Sequence, residues 1–508
     1  MIIFLLGALS SLSLPPYNFF LINFFIYSLF FFLISNLHKK KVSYFIFFSS
    51  GWAFGFGFFL SSLYWISISL TYDENFSYLL PFALILIPAF LAMFYGGALV
   101  LLKFFFGKNI FTSILTFSLL LSIFEYLRGN MLTGFPWNLI GYSFSNILEF
   151  IQINSILGIY GFNLLSITLF TLPSIFILKK SKKEYLPVFG FLFLSIFIFI
   201  YGNYSIKKFE NVEEQKLDYN FVIVSSQISL NRFYSNIDND EEIFMELVNL
   251  SNPDKFYNKK TIFVWPEGIL PKTKMDDLSR FKLLINDNFN ENHKIVLGLN
   301  RLETIDGESN IFNSLALVNT SAEVIDSYDK KRLVPFGEFL PLENFFSKLG
   351  LKSLTNNYQS YSPGKNVRRV IKIDDNLNFL PLICYEIIYP NMIKKNLDYS
   401  FIINLSEDGW FGNSIGPHQH FAHSKFRSIE TGTYILRSAN NGISSITNPK
   451  GQIISKINLK ETGSIVFHNY KKSEKTIFSQ YGNKVFLILI FIYIFLIFSF
   501  NRVKYEQS

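Results

Sequence analysis

The chain has 508 residues, of which half are hydrophobic and only 17% charged, a balance too apolar for a soluble enzyme of this length. Its net charge of +8 is spread in short basic clusters between apolar runs, a pattern of membrane topology that argues against nucleic-acid binding. The richness in Phe, Ile, Asn, Lys and Tyr has the look of an AT-rich genome, so the 61 Phe are not read as a recognition code.

A bilayer-crossing helix needs about 20 mostly apolar residues, and segments 2–14, 19–35, 44–70, 78–102, 110–127, 159–178 and 186–201 qualify or nearly do. The first is short, has no basic residue before it, and runs into Pro15-Pro16, which predicts a hairpin into the next span rather than a signal-peptide cleavage site. The loops alternate in charge. His38-Lys39-Lys40-Lys41 is basic, the loop at Asp73 and Glu74 acidic, Lys103 and Lys108 basic, the loop after Arg128 nearly neutral, and 179–183 basic again. Basic loops stay in the cytoplasm, so the chain after Tyr201 is expected on the outer side. A last apolar run, 485–500, followed by Arg502 and Lys504, returns the terminus inside. Within the spans, Glu125 and Arg128 lie three apart and are expected to pair with each other, with a lipid-head contact as the alternative.

Three parts are expected: a membrane region over 1–210 with about seven transmembrane helices, an outer domain over 217–470, and a final helix with a cytoplasmic tail over 471–508. The outer part alternates short β-branched and aromatic runs, 220–224, 261–265, 294–298, 378–383 and 399–404, with helical stretches such as 238–249. That alternation predicts an α/β layered domain.

Cys384 is the only cysteine, so it cannot form an internal disulfide. It is either a small core hydrophobe or a reactive thiol. Two further segments put ionisable residues at or after predicted strand ends, where a sheet holds side chains rigid. Trp265-Pro266-Glu267-Gly268 supplies Glu267, and the run from Tyr328 supplies Lys330 and, through Leu333-Val334-Pro335-Phe336-Gly337, Glu338. Each alone is most often a surface charge.

Glu, Lys and Cys in that order and context resemble the triad of the nitrilase superfamily. Flanked by many N-terminal spans and one final span, the arrangement resembles the apolipoprotein N-acyltransferases over essentially the whole chain. Gly134-Phe135-Pro136-Trp137, Trp410-Phe411-Gly412, Gly416-Pro417-His418-Gln419-His420 and Arg437-Ser438-Ala439-Asn440-Asn441-Gly442 support it. Four positions depart from the family pattern: Arg332 stands where the family usually has His, Glu407 and Gly409 differ where Ser406-Glu407-Asp408-Gly409 replaces Ser-Asn-Asp-Ala, and Phe233 stands where it carries Trp.

The resemblance implies a polytopic α-helical membrane region with an α-β-β-α sandwich outside the bacterial inner membrane. It further implies a ping-pong transfer of an acyl chain from a phospholipid, through a Cys384 thioester, to a diacylated apolipoprotein. A thiol of pKa near 8.5 needs a base or a cation to become a nucleophile. Glu267 supplies the base and Lys330 the cation. The Tyr385 N–H is expected to join Lys330 as oxyanion donor, Glu338, which resembles the family's second glutamate, to orient Lys330, and Tyr385 and Glu386 to support the site or serve structure. Segment 339–346 is expected either to dip into lipid or to pack within its own arm. His418, His420 and His423 invite a zinc reading, but no second cysteine or carboxylate pattern accompanies them, and no metal or other cofactor is expected. A monomer is expected. A membrane-tethered amidase of small substrates, or an inactive nitrilase-like scaffold that binds lipoproteins, are the alternatives.

Overall fold

The computed structural model describes residues 1–178, 185–305, 307–341, 360–365, 369–390 and 397–502. The basic loop at 179–183, residues 342–346 of the expected lipid-facing segment, and Lys504 lie outside them.

Among the described residues seven helices are long and apolar enough to cross a membrane: Ile22–Lys39, Tyr44–Thr71, Phe76–Phe104, Ile110–Asn130, Asn154–Leu178, Leu186–Glu210 and Lys484–Arg502. The short Ile2–Ser10 helix precedes them and packs on the Tyr44–Leu63 helix through Gly7 and Gly57, which let the two backbones touch. Leu186–Glu210 leaves Phe189, Phe193 and Phe197 exposed, and the final helix leaves Phe491, Phe495 and Phe498 exposed, as surfaces meant for lipid do. Glu125 and Arg128 do pair, buried, and Tyr95 Oη donates to Glu125 at 2.6 Å.

The chain between the Leu186–Glu210 and Lys484–Arg502 helices folds as a sandwich of two six-stranded sheets. The first carries β1 (Glu214–Ser225), β2 (Thr261–Val264), β3 (His293–Ile305), β4 (Glu308–Val318) and β5 (Val324–Asp329). The second carries β6 (Ile371–Lys372), β7 (Asn378–Ile383), β8 (Phe401–Glu407), β9 (Ile435–Asn440), β10 (Ser444–Thr447) and β11 (Ile453–Ile457). β12 (Gly463–Lys471) crosses back to pair antiparallel with β1. Because side chains alternate along a strand, Phe221, Ile223, Ile262 and Val264 meet Phe379, Ile383, Ile403 and Leu405 between the sheets. Val222, Val224, Phe263 and Trp265 face outward onto a helical layer that includes Asp240–Ser251. Leu380, Leu382, Ile402 and Ile435 face the other way and join the core of the membrane helices. The expected α-β-β-α order is therefore present, with one outer face set on the membrane region.

The Gly416–Thr431 helix is the layer between that sheet and the membrane helices. Gln419 Oε1 accepts from the indoles of Trp65 and Trp137, at 3.2 and 2.9 Å. Farther along, the buried Glu430 accepts from the Ile159 N–H at 2.7 Å, at the kink in the Asn154–Thr171 helix, and lies 3.0 Å from Arg427. Burial pushes the Glu430 carboxyl up to about 7, with Arg427 and the Ile159 N–H pulling back. A raised folded-state value means that the folded protein keeps a proton the unfolded chain loses. Stability contributed by that proton is complete below 4.5 and is lost as pH rises to about 7. At about 1.4 kcal/mol per pH unit this is on the order of 3 kcal/mol. Glu430→Gln is expected to flatten this fall, read as a smaller melting-temperature difference between about pH 5 and about pH 8.

Candidate active site

Three strands of the sandwich deliver three side chains to one place. β2 ends at Val264, and the turn that follows carries Glu267 back against β3. Gly298 makes this approach possible, since a Cβ there would lie 2.7 Å from the Glu267 Cα and 2.5 Å from the Gly268 nitrogen. Lys330 follows β5 directly, its N–H held by the Asn313 carbonyl at 2.7 Å. Cys384 follows β7 directly, and its backbone turns into the left-handed region at φ +44°. For a residue with a Cβ this costs of order 1–3 kcal/mol, and it sets the thiol at a sharp elbow between a strand and a 3-10 turn.

Lys330 Nζ donates to Glu267 Oε1 at 3.0 Å and to Glu338 Oε1 at 2.9 Å. Asn313 Nδ2 donates to the same two oxygens, each at 2.8 Å. Glu338 Oε2 is held by the Val334 N–H at 2.8 Å, and Glu267 Oε2 by the Glu407 N–H at 3.0 Å. Burial alone would lower Lys330, but Glu267 and Glu338 outweigh it and hold the ammonium protonated well beyond the ordinary lysine range. Burial and the nearby Glu267 push the Cys384 thiol well up, against the pull of Lys330 and the Glu407 N–H. At rest Cys384 is a thiol, which would need a base to react as a nucleophile. Alkylation of Cys384 by iodoacetamide is accordingly expected to keep rising as pH passes 9.0; a plateau below that would reveal a standing thiolate.

Glu386 ties the elbow to the lysine loop. Its Oε2 accepts from the Ile383 N–H at 2.9 Å, and its Oε1 from Tyr328 Oη at 2.8 Å and the Lys331 N–H at 3.0 Å. Tyr385 Oη and Tyr389 Oη donate to the Gly134 carbonyl, at 3.3 and 2.9 Å, in the loop between two membrane helices. Of the departures, Arg332 sits over the Tyr389 ring at 5.2 Å and Phe233 stacks on Trp410 at 5.4 Å.

Sequence reasoning missed Asn313 and the buried network behind the cysteine. Arg437 Nη2 donates to both oxygens of Asp408, at 2.9 and 2.7 Å, and Nη1 to Ser406 at 2.8 Å. His420 Nε2 donates to the Cys384 carbonyl at 3.2 Å, and its Nδ1 lies 2.8 Å from Asp408. Cys384, Asp408 and His420 offer donor atoms within 4.8 Å of one another, but a guanidinium on both Asp408 oxygens opposes a metal ion there. His423 is instead bonded to Tyr142 Oη at 2.9 Å.

Residues 6–172 match the family model for the apolipoprotein N-acyltransferase N-terminal domain, and 278–469 that for carbon-nitrogen hydrolases. The apolipoprotein N-acyltransferase of Rhizobium leguminosarum bv. trifolii is 32% identical over 90% of this chain and 88% of that protein. The chain belongs to the apolipoprotein N-acyltransferase family. The family member from Rickettsia prowazekii is 34% identical over 97% of this chain and 98% of its own. A solved Nesterenkonia amidase of the nitrilase superfamily, 13% identical, overlaps 51% of this chain and 92% of its own with a TM-score of 0.36.

Proposed function

We propose that this chain N-acylates lipoproteins, moving an acyl chain from a phospholipid to the α-amine of an N-terminal diacylglyceryl-cysteine. The observation that carries this reading is the seating of the nucleophile elbow on the membrane region, where the hydroxyls of Tyr385 and Tyr389 bond the Gly134 carbonyl. A thiol so placed suits a donor that arrives from the bilayer. The relatives' printed activity supports the same assignment.

Glu267 takes the thiol proton as sulfur attacks the ester carbonyl. The Lys330 ammonium and the Tyr385 N–H receive the oxyanion. Collapse expels the glycerol alkoxide, which regains the proton from Glu267, releasing lysophospholipid and leaving the Cys384 thioester. The acceptor amine then attacks. It gives its proton to Glu267, and the departing thiolate recovers one, so the enzyme returns unchanged. Glu338 holds Lys330 between two carboxylates, and Glu386 fixes the elbow relative to the lysine loop. The three-part division at 1–210, 217–470 and 471–508 is proposed to go with this chemistry, the central part lying on the outer face of the inner membrane. The charge ladder of the loops supports that orientation.

The experiment is to incubate the purified protein with phospholipid and a diacylated lipopeptide and to weigh the products. Lipopeptide heavier by one acyl chain, with one lysophospholipid released per transfer, is expected. Turnover of a soluble amide with no lipid-derived thioester would move the chain to a membrane-tethered amidase.

A further inference from the structure

Two of the family departures, Glu407 and Gly409, meet beside the proposed base. The Glu407 N–H donates to Glu267 Oε2 at 3.0 Å, the oxygen that Lys330 and Asn313 leave uncommitted. A backbone donor has no side chain of its own to aim it; its place is set by whatever anchors the residue.

Here the anchor is a buried ion pair. Glu407 Oε2 takes Arg232 Nη2 and, at 2.7 Å, Asn440 Nδ2, while Oε1 takes the Gly409 N–H at 2.8 Å. Arg232 in turn donates to the carbonyls of Ile228 and Ser229, at 3.2 and 3.0 Å, and reaches that of Gly268 at 3.4 Å, next to Glu267 in sequence. Three loops are thereby tied together: the one after β1, the Glu267 turn, and the turn after β8. Gly409 completes the arrangement, because a Cβ there would lie 2.7 Å from Glu407 Oε1. The long acid and the missing Cβ are matched to each other.

We infer that Arg232 and Glu407 are a positioning pair that holds the Glu407 N–H on Glu267, and so aims that carboxylate, for thioester formation. The inference rests on the reading of Glu267 as general base. Displacing a reacting group by an ångström can cost about 100-fold, whereas a pair that served stability alone would leave the rate per folded molecule untouched.

The test is single-turnover thioester formation by the full-length protein in mixed micelles of phosphatidylethanolamine and phosphatidylglycerol, with melting temperature measured alongside. Arg232→Gln and Glu407→Gln are each expected to slow acylation about 30- to 100-fold at unchanged half-saturating phospholipid. The double variant is expected to be no slower than the slower single one. Gly409→Ala removes no group and reads the same displacement where a charge variant fails to fold; its Cβ would press on Glu407 Oε1, and it is expected to slow acylation. Acylation within about threefold of the parent, losses that follow the folded fraction, or losses that multiply in the double variant would overturn the inference. Glu267→Gln separates the two claims. If it acylates normally the base assignment fails, and if it is inactive while the pair variants are fast, only the pair fails.

Discussion

Replacing Cys384 with serine is expected to abolish the acyl-enzyme and to lower N-acylation by roughly 10⁶-fold, the scale seen when a nucleophile is removed from a preorganised centre. Serine fills the same elbow at φ +44° with nearly the same volume, so the strained turn and the bond from His420 to the carbonyl at 384 are retained. What changes is the acid. In the proposed mechanism Glu267 already has to draw a proton from a thiol that burial holds protonated, and an alcohol is several pKa units harder to ionise. Mass spectrometry after incubation with phospholipid would find the parent heavier by one acyl chain and the variant unmodified, with melting temperatures close together. An acylated Cys384→Ser protein would end the thioester mechanism.

How much of this was legible without coordinates depended on what each strand buries. Segments 261–265, 378–383 and 399–404 read as strands because the sheets they enter are covered on both faces, so their residues run continuously apolar. β9 did not, because Arg437, Ser438 and Asn440 are fully buried polar residues whose partners, Asp408, Val224 and Ser226, come from elsewhere in the chain. β4 and β5 were missed because they are the outermost pair of their sheet and are rich in Asn, Ser and Asp.

The same distinction governs the site. Glu267 and Cys384 were visible because each follows an apolar strand, whereas Lys330 follows the polar β5 and was visible through its run up to Glu338. Asn313 was not, since a mid-strand asparagine gives no local sign that it will bridge two carboxylates. Arg232 and Glu407 are far apart in sequence, and only the substitution pattern around Glu407 and Gly409 hinted at a rearrangement there. The Asn154–Thr171 helix starts five residues ahead of its expected span, and its kink is explained by the joint with Glu430, again a contact between distant parts of the chain.

Lys330→Met is expected to cost both activity and stability, and the two losses are separable. The ammonium lies between Glu267 and Glu338 at 3.0 and 2.9 Å, with both carboxylates largely buried and sharing Asn313 as a second common donor. Without the cation two acids are left facing each other, and one must take up a proton to stay folded. Breaking a buried pair by removing one partner costs about 3–5 kcal/mol, and loss of an oxyanion donor alone slows acyl transfer by roughly 100- to 1000-fold. Adding Glu338→Gln removes the stranded second charge while keeping an acceptor for the Val334 N–H. The double variant is therefore expected to regain most of the melting temperature and none of the acylation rate. If instead Lys330 were only a structural counter-ion, relieving the charge would bring the rate back with the fold, and thioester formation per folded molecule would approach that of the parent. Measuring both quantities on the single and double variants distinguishes a cation that acts on the reacting carbonyl from one that merely neutralises its neighbours.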